Sequence, residues 1–248
     1  MKKRLLSILI LAVLSLGLCA CARPAVPSDE SSAPSDSWRE VSLEGKTIVW
    51  VGSSLTYGYA NNGISMADYL EETTHCICAK YAVSGTTLVD KDEESYISRL
   101  KKIPADQKCD YFICQLSTND ATQQLPIGDI SDSFDIDSFD TQTVCGAIEY
   151  VIAYAKERFD CPIAFYTAPR YWSSPYKKMA AKMLLIKEKW GIELLDLWNN
   201  EELMAMSEED RTVFLKHYMA DSVHPNELGY KEWLTPIFEE FFKRTIEK

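Results

Sequence analysis

Seven residues, Asp110-Tyr111-Phe112-Ile113-Cys114-Gln115-Leu116, form an apolar run without alternation. A strand with one wet face alternates apolar and polar side chains; a run like this one belongs to a strand covered on both faces. Thr47-Ile48-Val49-Trp50-Val51 has the same character, and Cys76 to Val83, Pro162 to Thr167 and Ile192 to Leu197 read as three further strands. Between them lie segments of helical period. Ser65 caps a helix over 66–74, a short helix covers 95–103 and stops at Pro104, and Val144, Ile148, Val151 and Ala155 mark one face of a helix over 141–159. Another helix covers 176–190 and ends at Gly191, two short helical segments follow, and an apolar stripe from Tyr230 to Phe242 marks a last helix that Pro236 should kink. Strands alternating with helices predict an α/β domain, with a central parallel sheet of about five strands between two helical layers.

Three strands run into small polar turns: Gly52-Ser53-Ser54-Leu55-Thr56-Tyr57-Gly58, Ser84-Gly85-Thr86-Thr87 and Ser117-Thr118-Asn119-Asp120. In open α/β sheets ligands bind beyond the carboxyl ends of the strands, so these turns gather the candidate chemistry. Ser54 stands where a hydroxyl on a rigid strand exit would face a crevice. Serine-rich turns are common and most do no chemistry; a nucleophile also needs a base and a group that orients the base. His75, at a helix end, and His217, in a charged helix, read as structural or solvated. His224, in Asp221-Ser222-Val223-His224-Pro225, follows a carboxylate by three residues, so one loop turn lets Asp221 accept from its ring. The other reading of that loop is a helix cap with an exposed histidine.

Outside the domain, Lys2, Lys3 and Arg4 precede an apolar stretch, Leu5 to Leu18, too short for an ordinary membrane span. It ends in Leu18-Cys19-Ala20-Cys21, similar to a bacterial lipobox, with Cys21 as the lipidated residue; a plain secretory signal is the alternative. Residues 21–42, rich in Ser, Pro and Ala, read as a flexible tether. The organisation expected is therefore a signal peptide over 1–20, the tether, and one domain over 43–248, placed outside the cytoplasm and held to the membrane by the lipid alone. The net charge is −11, and without Lys2, Lys3 and Arg4 the mature chain stands near −14, which argues against nucleic acid and anionic lipid as partners. Six cysteines follow Cys21, none in a C-x-x-C pair, and they read as mostly reduced and structural, with neither metal nor cofactor expected. The acidic stretch 123–140 lacks the spacing of a calcium loop and reads as a surface loop over the site.

The chain resembles the SGNH hydrolases, the GDSL-type esterase and lipase superfamily. Gly52-Ser53-Ser54-Leu55-Thr56 matches the first block of that family, Ala82-Val83-Ser84-Gly85 resembles the second, Ser117-Thr118-Asn119-Asp120 the third, and Asp221-Ser222-Val223-His224-Pro225-Asn226 matches the fifth. The resemblance covers nearly the whole domain, from Thr47 to the last helix. It implies a three-layer, flavodoxin-like fold and a serine esterase with Ser54 as nucleophile, His224 as base and Asp221 as acid. It also implies an oxyanion hole from the N–H groups of Ser54 and Gly85 and the side chain of Asn119. Two positions depart from the pattern: Ser53 stands where Asp is usual, so a carboxylate brace of the turn must be weaker or replaced, and Ser117 stands where Gly is usual and could narrow the oxyanion site.

The substrate expected is a small-molecule or glycan ester, with short acyl groups, acetyl above all, removed from carbohydrate. Arg170, Tyr171 and Trp172, after the fourth strand, are candidates for a sugar platform or an acyl-pocket wall, against a reading of core packing with a surface Arg. The alternatives in function are a lipase or lysophospholipase acting on longer acyl chains, and a catalytically impaired binding protein on the same fold.

Overall fold

The computed structural model describes residues 41–247. The signal peptide, Cys21 and nearly all of the tether lie outside the described residues. Strand β1, Thr47–Gly52, is central; β2, Ile77–Ala82, and β3, Tyr111–Gln115, pair with it on either side, and β4, Ile163–Tyr166, and β5, Glu193–Leu195, extend the sheet beyond β3. Every pairing is parallel and the order is β2-β1-β3-β4-β5, the flavodoxin-like order, whose switch point lies between β1 and β3.

The missing alternation has a direct cause. Val49, Val51, Phe112, Cys114 and Phe165 point into one core, while Ile48, Trp50, Tyr111, Ile113 and Tyr166 point into another. The first core is closed by α3, Tyr96–Lys101, α5, Val144–Arg158, and α6, Ser174–Trp190. The second is closed by α2, Met66–Thr74, and by α9, Thr235–Thr245. The expected three layers are thus present. Full burial of each large side chain contributes about 1.5–3 kcal/mol, so both sheet faces are strongly committed.

Helix starts follow their caps. Ser65 and Asp68 form a reciprocal capping box at α2, and Thr143 caps α5. Helix α6 begins at Ser174, two residues earlier than its apolar period suggests, because Ser173 accepts a hydrogen bond from Tyr176 N. Strand β5 is shorter than expected. Pro236 breaks the last helix by changing its type: a π-helical turn over Gly229–Leu234 precedes α9, and Thr235 donates to the Tyr230 carbonyl through both its backbone N–H and its hydroxyl. The proline then falls in a first helical turn, where its missing N–H has no partner to lose.

The acidic stretch 123–140 lies elsewhere than over the site. Ser131 N donates to Glu149, Lys189 Nζ donates to the Ser131 and Ser133 carbonyls, and Phe134 packs edge-on against Trp190. Those contacts pin it to α5 and α6. No helix among the described residues is long and apolar enough to cross a membrane.

Candidate active site

Beyond β1 the chain turns at once into α1, Ser54–Tyr57. Glycine is required at the hinge: a Cβ on Gly52 would sit 1.7 Å from Thr56 Oγ1. The turn is braced from beneath by Gln115, the last residue of β3. Its Oε1 accepts from Ser53 N at 2.9 Å, Thr56 N at 3.3 Å and Thr56 Oγ1 at 2.8 Å, and its Nε2 donates to Ser53 Oγ at 3.2 Å. Tyr166 on β4 completes the network, 2.6 Å from Thr56 Oγ1. A neutral amide therefore does what a carboxylate at position 53 would do, and Ser53 itself is fully buried. The sequence hint is slight: Gln115 is the one polar residue inside an otherwise apolar strand.

A second brace comes from Arg99 on α3. Its Nη2 donates to the Gly52 carbonyl at 2.9 Å and to Thr86 Oγ1 at 2.9 Å, its Nε to the Glu94 carbonyl at 3.0 Å, and its Nη1 to the Tyr81 carbonyl. This buried cation has four backbone and hydroxyl acceptors and no ion pair among the described residues. Burial pulls its pKa below the ordinary guanidinium value. It ties the exits of β1 and β2 together, and nothing in a short amphipathic helix announces that role.

The loop before the last helix closes on itself. Met219 bridges Pro225, and Ala220 N donates to the His224 carbonyl at 2.8 Å. Inside it Asp221 Oδ1 accepts from Val223 N at 2.7 Å and His224 N at 2.8 Å, and Oδ2 lies 2.8 Å from His224 Nδ1. The other ring nitrogen, Nε2, lies 2.8 Å from Ser54 Oγ. Partial burial works to raise the Asp221 carboxyl, but the hydrogen bonds from His224 and the loop backbone outweigh it and hold its pKa below the usual value. Asp221 is half exposed, while Ser54 is buried. Tyr59 packs its ring 5.2 Å from the imidazole. His75 caps the end of α2, and His217 lies against Tyr218 on α8, Glu208–Tyr218.

The second and third turns are linked in turn. Val83 N donates to the Gly52 carbonyl at 3.3 Å, and Asn119 Nδ2 donates to the Thr86 carbonyl at 2.8 Å. Gly85 lies between these ties with φ of +83°, exposed and with open space where a side chain would be. Asn119 spends one amide hydrogen on Thr86, and a second remains on the same nitrogen. Ser117 points inward: fully buried, it caps α4, Thr118–Thr122, by accepting from Asn119 N at 3.1 Å and Asp120 N at 3.4 Å. Asp120 accepts from Leu88 N at 2.8 Å and Val89 N at 3.0 Å, and burial raises its pKa.

Of the residues after β4, Tyr171 packs against Tyr176 and Trp198, whereas Trp172 is completely exposed. Arg170 stacks its guanidinium 5.5 Å from the Trp198 ring centre and shares a cavity of about 260 Å³ with Asp221. The arrangement offers a hydroxyl, a ring nitrogen able to take its proton, and a carboxylate holding the ring.

Comparison with known proteins shows the family and the fold. Residues 48–237 match the family described as GDSL-like lipase/acylhydrolase. No curated protein matches the chain. Among solved structures, a protein from Lactobacillus plantarum is similar with a TM-score of 0.65 at 20% identity, over 81% of this chain and 98% of that one. A possible lipase from Chitinophaga pinensis gives 0.61 at 16% identity, over 80% and 98%. A family two carbohydrate esterase from Clostridium thermocellum gives 0.55 at 14% identity, over 82% and 64%.

Proposed function

The chain belongs to the GDSL-like lipase/acylhydrolase family and is an ester-bond hydrolase, and from that premise we propose that Ser54, His224 and Asp221 act as a triad that removes acetyl groups from carbohydrate. The observation that carries this reading is the chain of two contacts, each 2.8 Å, from Asp221 Oδ2 to His224 Nδ1 and from His224 Nε2 to Ser54 Oγ. In the acylation step Ser54 Oγ bonds to the ester carbonyl carbon as His224 takes its proton. The tetrahedral oxyanion is held by the N–H groups of Ser54 and Gly85 and the second amide hydrogen of Asn119. The C–O bond to the alcohol then breaks, and His224 hands the proton to the leaving alkoxide. Water, deprotonated by the same imidazole, attacks the acyl-enzyme and releases acetate and free Ser54. Asp221 keeps the tautomer that leaves Nε2 able to accept.

A carbohydrate alcohol is supported by Trp172, whose bare indole lines cavities with Arg170 and is a stacking surface that folding does not need. Fold similarity to the carbohydrate esterase points the same way. The test is acetate release from acetylated saccharides, with Ser54→Ala as control. Wild-type protein should release acetate and take a fluorophosphonate label, and the Ser54→Ala protein should do neither; a variant that kept wild-type rates would end the assignment. Acetyl and octanoyl nitrophenyl esters compared side by side fix the acyl length.

A further inference from the structure

Three neighbouring cavities share Arg170 in their lining, and one of them reaches Asp221. Besides the space of about 260 Å³ shared with Asp221 and Ser222, Arg170 lines one of about 480 Å³ with Trp172, Trp198 and Arg211, and one of about 330 Å³ with Trp172 and Lys177. Lys216 lines the first of these. The charged side chains of this cleft are therefore Arg170, Lys177, Arg211 and Lys216, against the single carboxylate of Asp221, which is committed to His224.

None of the four cations makes an ion pair among the described residues. The chain as a whole carries 37 Asp and Glu against 26 Lys and Arg, so a cleft of four unpaired cations runs against its composition. Arg170 is held in place by the Trp198 ring and the Met204 thioether, neither of which neutralises it. Its remaining N–H donors have no carbonyl or carboxylate among the described residues, and Trp172 stands bare beside it. Positive charge in a low-dielectric cleft concentrates anions locally.

We propose that this cleft receives the alcohol half of an anionic carbohydrate ester, with a carboxylate or phosphate of the substrate on Arg170 and Arg211 and a sugar face on Trp172. The inference rests on the esterase reading of Ser54 and names its substrate class. The side of the site agrees with it. The leaving alkoxide takes its proton from His224, so the alcohol departs past the imidazole, and the cleft opens there, at Asp221. Lys177 and Lys216, more exposed, add to the field without fixing the geometry. Arg suits the inner positions because its planar fork matches carboxylate and phosphate oxygens in pairs.

The experiment compares acetylated oligosaccharides matched in size: one neutral, one bearing uronate carboxylates, one bearing phosphates. At low salt, kcat/KM for an anionic substrate should exceed that for the neutral one by tenfold or more, through KM. High salt should erase the difference, since the screening length shrinks to about 3 Å at 1 M. A preference for uronate alone, for phosphate alone or for both identifies the anion read. Replacing Arg170 and Arg211 together with Gln should remove the preference; if that protein fails to fold, the exposed pair Lys177→Gln and Lys216→Gln should reduce it severalfold. Equal kcat/KM for neutral and anionic substrates, or a preference indifferent to salt and to both pairs of substitutions, overturns the proposal. Binding to Ser54→Ala protein keeps the two readings apart. Tighter binding of the anionic sugar with no turnover in wild type would sink the esterase mechanism and leave the cleft, whereas hydrolysis of all three substrates at one rate would do the reverse.

Discussion

The turn that carries Ser54 and the loop that carries His224 meet at one hydrogen bond, yet they are held by opposite means. Ser53, Ser54 and Thr56 are buried, and their supports arrive from far along the chain: Gln115 on β3, Tyr166 on β4 and Arg99 on α3. Asp221 is half exposed and the His224 ring partly buried, and the carboxylate's partners are two and three residues away. Outside the loop, the hydrogen-bond and ring partners of the imidazole among the described residues are Ser54 itself and Tyr59. The nucleophile is thus positioned by the folded core, and the base by one local turn whose geometry depends on a single side chain. Damage to the first should cost stability and activity together; damage to the second should cost activity alone.

The largest separation is expected from Asp221→Asn. An amide there can donate to His224 Nδ1, which forces the ring proton onto Nε2, where it faces Ser54 and cannot accept. Turnover should fall by about 10³–10⁴, the scale seen when a triad acid is neutralised, equivalent to about 4–5.5 kcal/mol on the barrier. Thermal stability should move by less than about 1 kcal/mol, as for other solvent-facing pairs. The pH dependence carries a second signature. Because hydrogen bonds hold the native Asp221 carboxyl below its unfolded value, its stabilising contribution is present above the ordinary carboxylate range and lost as pH falls through the lowered value. That part of the acid limb should vanish in the Asn variant. A large drop in melting temperature with activity retained would reverse the comparison.

Next in size comes Gln115→Leu, which removes the acceptor for three donors in the buried turn. Leaving such groups unsatisfied should cost about 3 kcal/mol in all, or about 6–12 °C for a domain of this length. Acetate release and fluorophosphonate labelling should fall with it, since Ser54 loses its platform. A Leu variant as stable as wild type, measured by calorimetry, would show that the Arg99 ties suffice.

The contrast between the two regions also explains which features are legible in the amino-acid sequence. Asp221 and His224 are three residues apart and their contact is local, so a sequence pattern contains it. Strands β1 and β3 announce themselves by apolar runs, α2 by the cap next to its first turn and α5 by its apolar period. Gln115 and Ser53 are 62 residues apart, and only the register of β3 against β1 brings them together; no spacing along the chain encodes that. Arg99 sits on a helix whose visible signal is its apolar side, while its function lies in carbonyls of two other elements. The acidic stretch 123–140 escapes a sequence reading for a related reason. Its composition marks a surface loop, but its position is set by Glu149 and Lys189, on helices that come later in the chain. Pro236 marks a break correctly, but whether a helix kinks or widens depends on whether Thr235 can reach back to the Tyr230 carbonyl.

The smallest expected effect tests whether the exposed loop is as self-reliant as its hydrogen bonds suggest. Tyr59 lies in a single 3₁₀ turn after α1 and is mostly exposed, with its ring tilted against the imidazole of His224 at 5.2 Å. Ring pairs of this kind contribute about 0.5–1.5 kcal/mol when buried, and solvent at this one puts it at the low end. Tyr59→Ala should therefore leave the melting temperature within about 2 °C of wild type and lower kcat by about two- to threefold, the share of time the imidazole spends turned from Ser54. Tyr59→Phe should restore the rate, because the contact uses the ring and not the hydroxyl. A drop of a hundredfold would instead mean that the base is positioned by packing from the Ser54 side, and the division between a core-held nucleophile and a loop-held base would have to be given up.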